Sequence, residues 1–490
     1  MTNFRVEFAA LLLGALTVCG FAPLHLFPLP LATMALLFVL WRQAGTLRQA
    51  VRIGWLWGCG CFLGGVSWIY ISMHDVGGMP APLAAAATFL FCAFLALFPA
   101  LAGWLFKRWQ SGSRWRDILL LAGIWTLSEW LRGWLFSGFP WLTLGYSQGP
   151  PSPLAGFAPV LGVYGIGFIV AGLAALLAYA WQRLAAWAML LGALACGYLL
   201  QQVAWTHPVG APLTVSLLQG NISQDSKWDL ERLQDSLDTY ARLAREHPAQ
   251  LVVMPETALP MFLDDVPNEY LDGLLASGPT LFGVAVVSRA SGKPESYANA
   301  AVAMPAAGKF QVYAKSHLVP FGEFVPLGFD WFMALLRMPM SDFSPGPPHQ
   351  PPLAIAGQQV APNICYEDLF GEEILRALPQ ATLLINLSNT AWFGDSLAQP
   401  QHLQIAQLRA LETGRYMLRA TNTGMTAVVR PDGVVAAALP AFTVDALTAE
   451  VSGYAGTTPF AYWGNTLVLL LAACALLPTI RVRFHHSRKI

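Results

Sequence analysis

Val360-Ala361-Pro362-Asn363-Ile364-Cys365-Tyr366-Glu367-Asp368 reads as a short strand that ends in a lone cysteine with carboxylates directly behind it. The chain has seven cysteines, and the other six (Cys19, Cys59, Cys61, Cys92, Cys196 and Cys474) lie in apolar runs long enough to be membrane helices. Cys365 alone sits in a polar region, so a disulfide inside that region is impossible. Two readings remain: a buried small hydrophobe or a reactive thiol.

Outward from this stretch, composition separates two kinds of chain. At 55% hydrophobic and 11% charged over 490 residues, the protein falls far below the roughly 25% charge of a soluble domain. It reads as an integral membrane protein. Residues 206 to 460 carry 14 Lys and Arg against 24 Asp and Glu, while the remainder carries 14 against 4. The basic part is not a nucleic-acid surface, because its charges fall in short loops between apolar runs.

Apolar stretches near residues 4 to 20, 24 to 41, 53 to 73, 82 to 106, 118 to 137, 157 to 181, 184 to 204 and 461 to 480 predict eight membrane crossings. The first two are short and interrupted by Gly20 and by prolines at 23, 28 and 30. The first has only Arg5 before it and no cleavage site, so it reads as a retained anchor. Arg42, Arg48, Arg52, the cluster from Lys107 to Arg116, Arg183 and the tail from Arg481 to Lys489 all fall on one side of this arrangement. The opposite short loops hold no Lys or Arg, which puts the basic loops in the cytoplasm and the acidic region outside.

Gly58-Cys59-Gly60-Cys61 and Gly162-Val163-Tyr164-Gly165-Ile166-Gly167 superficially suggest metal or dinucleotide motifs. Each lies inside an apolar span, and close helix packing is the better reading. Glu129 and Arg132 share one face of the fifth helix, either as an internal pair or facing a lipid headgroup.

From residue 213 the pattern changes. Strands are predicted at 213 to 218, 251 to 254, 280 to 287, 298 to 304, 310 to 314, 359 to 364, 382 to 387 and 425 to 430, with helices at 229 to 246 and 399 to 414. This alternation indicates a layered α/β domain. Between Phe321 and Phe343 the chain is rich in aromatic residues and Met, among them Phe324, Phe329, Trp331, Phe332 and Met338. Such a segment predicts either a cover over the core or, the favoured reading in a domain tethered above a bilayer, a flap that dips into the membrane interface.

Three segments end strands with an ionisable residue: Val253-Met254-Pro255-Glu256, Val312-Tyr313-Ala314-Lys315 and Asn363-Ile364-Cys365. Side chains at neighbouring strand ends of a layered domain converge on one crevice. A thiol needs a base to take its proton, a positive charge to hold the thiolate and a donor for the oxyanion it creates. Glu256 suits the first role and Lys315 the other two. Taken singly, Glu256 could instead cap a helix and Lys315 could be a solvated lysine.

With their flanks, these residues resemble the nitrilase, or carbon–nitrogen hydrolase, superfamily, and more closely its membrane-embedded branch, the apolipoprotein N-acyltransferases. The resemblance runs through Gly20-Phe21-Ala22-Pro23, Gly138-Phe139-Pro140-Trp141, Gln219-Gly220-Asn221-Ile222, Pro255-Glu256-Thr257, Lys315-Ser316-His317-Leu318-Val319-Pro320-Phe321-Gly322-Glu323, Cys365-Tyr366-Glu367 and Asn422-Thr423-Gly424. It implies a multi-pass α-helical membrane domain over residues 1 to 205, an α/β nitrilase-like αββα sandwich over 206 to 460 in the periplasm, and an eighth helix with a basic cytoplasmic tail over 461 to 490.

The resemblance also implies ping-pong acyl transfer in a bacterial inner membrane. Cys365 takes an acyl chain from a phospholipid, typically phosphatidylethanolamine, as a thioester. The α-amino group of a diacylglyceryl-cysteine at the start of an apolipoprotein then receives it. Glu256, Lys315 and Cys365 form the implied triad, with Glu323, Tyr366 and Glu367 in support and Trp228 and Trp141 where the acyl chain or headgroup enters. Glu367, two positions from Cys365, is expected on the same side of an extended chain. Thr390 departs from the family pattern, which has aspartate there. No cofactor, no metal and no nucleic acid are expected, and the protein is expected to be a monomer. Two alternatives stand beside this one: a membrane-anchored amidase using water as second nucleophile, and a catalytically silent lipoprotein-binding scaffold.

Overall fold

The computed structural model describes residues 3–223, 230–288, 295–326, 328 and 343–487. The chain divides into two compact units. One comprises Met1–Tyr70, Ala81–Ala204 and Tyr462–Ile490, and the other Ile71–Pro80 with Trp205–Ala461. Residues Ile71–Pro80 group with the second unit because they pack on it: Ser72 Oγ donates to the Trp392 carbonyl at 2.7 Å, and Ile71 lies against Gly394.

The first unit is helical. Among the described residues, short 3-10 turns aside, seven helical segments precede residue 205: Asn3–Thr17, Pro28–Gln43, Leu47–Val66 followed by a bent stretch whose Ile71–Val76 belong to the second unit, Ala81–Trp109, Arg114–Arg132, Ala158–Ala180 and Leu184–Gln201. Thr466–Ser487 follows the second unit. By length and apolar composition alone, three can cross a membrane, or four if the bent pair is one span. The others are too short or, like Arg114–Arg132, carry several ionisable residues.

The glycine clusters here serve close packing. A Cβ on Gly60 would stand 2.0 Å from the Leu11 carbonyl oxygen, so only glycine lets these two helices approach. Glu129 and Arg132 turn inward. Glu129 Oε1 accepts from the Leu144 amide at 2.8 Å, and Arg132 donates to the Trp141 carbonyl at 2.7 Å and to Thr143 Oγ1 at 3.2 Å. Both ends of the Phe139–Leu144 loop are thereby pinned to one helix.

The second unit is an αββα sandwich. Its first sheet has the strand order β13-β1-β2-β4-β5-β6, with β3 beside β4. These strands are β1 (Thr206–Gln219), β2 (Leu251–Val253), β3 (Leu259–Phe262), β4 (Thr280–Ser288), β5 (Ser296–Ala306), β6 (Lys309–Ala314) and β13 (Asp445–Gly456). Its second sheet runs β12-β11-β10-β9-β8-β7, from β7 (Leu353–Ile355), β8 (Gln358–Ile364), β9 (Leu383–Ser388), β10 (Met417–Thr421), β11 (Ala427–Val429) and β12 (Val435–Ala438).

Side-chain alternation along the strands builds the layers. Val215, Leu217, Leu251, Val253 and Leu281 of the first sheet meet Val360, Ile364, Leu383, Ile385 and Leu418 of the second to form the interior. The intervening residues Val252, Met254 and Phe282 face outward and pack with Leu237, Tyr240 and Leu243 of the helix Leu230–Glu246. On the far side, Ala361, Leu384 and Met417 pack with Leu403, Ala406 and Ala410 of the helix Ala398–Thr413. The eight predicted strands are present, and β3, β7, β10, β12 and β13 join them. Most of the predicted flap, including Phe329, Trp331, Phe332 and Met338, lies outside the described residues, as does Trp228.

Candidate active site

β8, β9 and β10 are parallel neighbours in one sheet, and the chain leaves their C-terminal ends at Cys365, Asn389 and Asn422. β2 and β6 of the other sheet end just before Met254-Pro255-Glu256 and Lys315. Carboxyl ends of strands are where an open α/β sheet offers a crevice. The turn at Pro255 fits because β4 carries Gly283 there: a Cβ at that position would lie 2.6 Å from Glu256 Cα.

Lys315 is 1% exposed. Its Nζ donates to Glu323 Oε1 at 2.9 Å and, at the longer distance of 3.4 Å, to Glu256 Oε1. Asn299 of β5 bridges the same two carboxylates, donating to Glu256 Oε1 at 2.7 Å and Glu323 Oε1 at 3.0 Å. The Asn389 amide reaches Glu256 Oε2 at 2.7 Å, and the Val319 amide reaches Glu323 Oε2 at 2.8 Å. Burial would discharge Lys315, but Glu323 and Glu256 outweigh it and hold the ammonium well above the usual lysine range.

Cys365 is 9% exposed and adopts φ +53°, a left-handed conformation uncommon outside glycine. Burial pushes its thiol well above the ordinary range, Glu256 adds to the rise, and Lys315 opposes it. The surroundings of this thiol therefore disfavour its ionisation.

Glu367 does not lie on an extended chain. Residues Cys365–Leu369 form a 3-10 turn, which swings its carboxylate back to the lysine segment. Glu367 Oε1 accepts from the Ser316 amide at 2.7 Å, Ser316 Oγ at 3.0 Å and the His317 amide at 3.1 Å. Oε2 takes the Ile364 amide at 2.7 Å, and the Tyr313 hydroxyl reaches both oxygens at 3.1 Å. This one carboxylate thus joins the backbones that carry Lys315 and Cys365. Burial raises its pKa, opposed by those amides and by Lys315.

Tyr366 stands edge-on to His317 and Phe370, with ring centroids 5.7 and 5.2 Å away. Trp141 belongs to the helical unit, where its ring packs on Trp68 at 4.9 Å. Thr390 is fully buried, and its hydroxyl has no hydrogen-bond partner among the described residues.

Two contributors went unread in the sequence. Asn299 is a lone amide inside the apolar run Ala298-Asn299-Ala300-Ala301, a visible irregularity. Asn389 acts through its backbone, which no side-chain pattern reveals.

As a chemical unit the site brings together a buried thiol, two carboxylates and a buried ammonium held between them. Thiol, carboxylate and ammonium are the group types that acyl transfer through a covalent intermediate requires.

A family model described as the apolipoprotein N-acyltransferase N-terminal domain matches residues 13–176, and one described as carbon–nitrogen hydrolase matches residues 214–460. The chain is 48% identical over 503 residues to the apolipoprotein N-acyltransferase of Nitrosomonas europaea, covering 100% of both chains. It is 49% identical over 498 residues to that of Ralstonia nicotianae, covering 96% of this chain and 94% of the relative. A solved structure of a mutant amidase from Nesterenkonia AN1, of the nitrilase superfamily, aligns at 21% identity and a TM-score of 0.36 over 50% of this chain and 92% of that one.

Proposed function

We infer the reaction from one premise: the chain belongs to the apolipoprotein N-acyltransferase family, whose members match it end to end at close to half identity. It is an acyltransferase, and its helices make it a membrane protein. The proposed donor is a phospholipid, phosphatidylethanolamine in particular, and the proposed acceptor is the α-amino group of a diacylglyceryl-cysteine at the start of an apolipoprotein.

In the first half-reaction Cys365 Sγ attacks the ester carbonyl carbon as its proton passes to Glu256. Lys315 stabilises the oxyanion. When the C–O bond breaks, Glu256 returns the proton to the departing lysophospholipid and a thioester remains on Cys365. In the second half, the amine attacks the thioester and gives its proton to Glu256. The C–S bond breaks, the thiol is restored and the N-acylated lipoprotein leaves.

The observation that carries this reading is the Lys315 ammonium held between two carboxylates beside a buried thiol. Glu323 supports it by sharing that ammonium, Glu367 by tying the two segments together, and Tyr366 by walling the site; Trp141 and Trp228 are proposed to line the path of acyl chain or headgroup. The enzyme is proposed to work as a monomer in a bacterial inner membrane, with residues 1–205 and 461–490 in the bilayer and 206–460 on the periplasmic side. The basic loops support that orientation.

Intact mass spectrometry of the purified full chain tests it, after incubation with phosphatidylethanolamine of defined chains, with and without a diacylglyceryl-cysteine peptide. The expected result is an acyl mass on Cys365 that hydroxylamine removes and that moves to the peptide amine. Release of free acid without transfer would establish a hydrolase instead. Absence of any adduct would sink the covalent mechanism.

A further inference from the structure

On the face of the second sheet turned away from the sandwich interior, Asn363, Asn386 and Arg419 stand side by side in register across β8, β9 and β10. Asn386 Nδ2 donates to Asn363 Oδ1 at 2.7 Å and to the Cys365 carbonyl at 3.2 Å. Arg419 Nη1 donates to Asn386 Oδ1 at 3.2 Å and to Asp368 Oδ2 at 3.1 Å. Arg419 Nη2 meets His402 Nδ1 at 2.7 Å, and His402 Nε2 meets Asp368 Oδ1 at 2.7 Å. Arg419, His402 and Asp368 thus close a ring, and each is at most 1% exposed.

The ring's chemistry is determined. A guanidinium only donates, so His402 Nδ1 accepts, and Nε2 carries the proton it gives to Asp368. Burial and Arg419 keep this histidine neutral. Asp368 lies three residues from Cys365 in the same 3-10 turn, and Asn386 grips the Cys365 carbonyl. Both ends of the turn that carries the thiol are therefore tethered to one rigid object. A non-glycine residue keeps a left-handed backbone only where its surroundings over-determine it.

We propose that Asp368, His402 and Arg419 are positioning residues for the acyl transfer: their closed ring holds the turn of Cys365 so that Sγ is presented to the donor ester. The inference rests on Cys365 being the nucleophile. The ring also contributes charge. The groups acting on the thiol are Glu256 after β2, Lys315 after β6, Glu323, Asp368 in its own turn and Arg419 from β10. Asp368 disfavours the thiolate and Arg419 favours it.

The test uses the full chain and two readouts: acylation of Cys365 from phosphatidylethanolamine, and alkylation of Cys365 by iodoacetamide across pH, both quantified on the Cys365 peptide. His402→Ala should lower kcat for acylation roughly 10- to 100-fold with KM for phospholipid unchanged. His402→Gln, whose amide can offer an N–H to Asp368 and a carbonyl oxygen to Arg419, should restore most of it. Asp368→Asn should move the alkylation profile to lower pH, because Arg419 is left without its counter-charge; if His402→Ala does not fold, this isosteric change carries the test. A folded His402→Ala that acylates at the wild-type rate overturns the proposal, as does an Asp368→Asn profile that stays in place. If the wild type alkylates but never acylates, the covalent reading fails instead, and the alkylation arm alone decides on the ring.

Discussion

The two sides of Cys365 are built differently. In front, Lys315 is shared by Glu256 and Glu323, a cluster with one more carboxylate than cation whose acids keep 8% and 12% of their side chains exposed. Behind, Arg419, His402 and Asp368 form a charge-balanced ring sealed from water. A group that must take and return a proton needs spare accepting capacity and a route to substrate, whereas a group that fixes geometry must not titrate. On the proposed mechanism, these duties are divided between opposite sides of one residue.

The comparison breaks most directly at its centre. Cys365→Ala should abolish acylation in the mass-spectrometric assay. Cys365→Ser should leave little, because a hydroxyl is far harder to ionise than a thiol; a fully active serine variant would remove the thiolate from the argument. Next in size is Lys315→Met, which leaves two carboxylates on one side chain amide, Asn299, and no cation. A loss on the order of 10² to 10³ in kcat is expected. Lys315 lowers the thiol pKa, so its removal should also shift alkylation to higher pH. The opposite shift is expected of Asp368→Asn, which separates front from back by sign.

The wild-type pH profile sharpens the same contrast. Burial and Glu256 raise the thiol above its ordinary value of 9.0, so the deprotonated fraction is small at neutrality and grows as pH rises. Alkylation of Cys365 should keep climbing beyond pH 9. A plateau near pH 6 or 7 would mean a preformed thiolate–ammonium pair and would reassign Glu256. Smaller again is Glu367→Gln. An amide nitrogen would face donors that the carboxylate now accepts, at a cost of about 1–3 kcal/mol read as a lowered unfolding temperature of the catalytic unit.

Much of the front is legible in the sequence, because Glu256, Lys315 and Cys365 each end an apolar strand and period-2 alternation locates those strands. The back is hidden by the same logic. β10 reads Met417-Leu418-Arg419-Ala420-Thr421, and a central arginine breaks the apolar run that would have marked it as buried. The ion pair with Asp368, the register with Asn386 and the proximity of His402 explain why a charge can lie inside a sheet. β13, with its Ala and Gly and its half-exposed faces, gives no alternation to read. Glu129 and Arg132 fall between these cases: their spacing puts them on one face, but nothing in it says that a loop amide and a loop carbonyl await them.

Thr390 offers the smallest effect and a test of the front's support. The turn it begins follows Asn389, whose amide holds Glu256. Among the described residues the Thr390 hydroxyl is buried without a partner, as is Gln399 Oε1, and a Cβ built on Gly424 would lie 2.3 and 2.4 Å from these two oxygens. An unpaired buried hydroxyl contributes desolvation cost and no bond. Thr390→Val keeps the shape and removes that cost. Unfolding measurements should show no loss and a gain of up to about 1 kcal/mol, with acylation unchanged because Asn389 acts through its backbone. A clear loss of stability would mean that the hydroxyl has a partner, a bridging water to Gln399 being the one the geometry allows. The front would then lean on a buried polar network of its own, and the contrast with the ring behind Cys365 would narrow to charge balance alone.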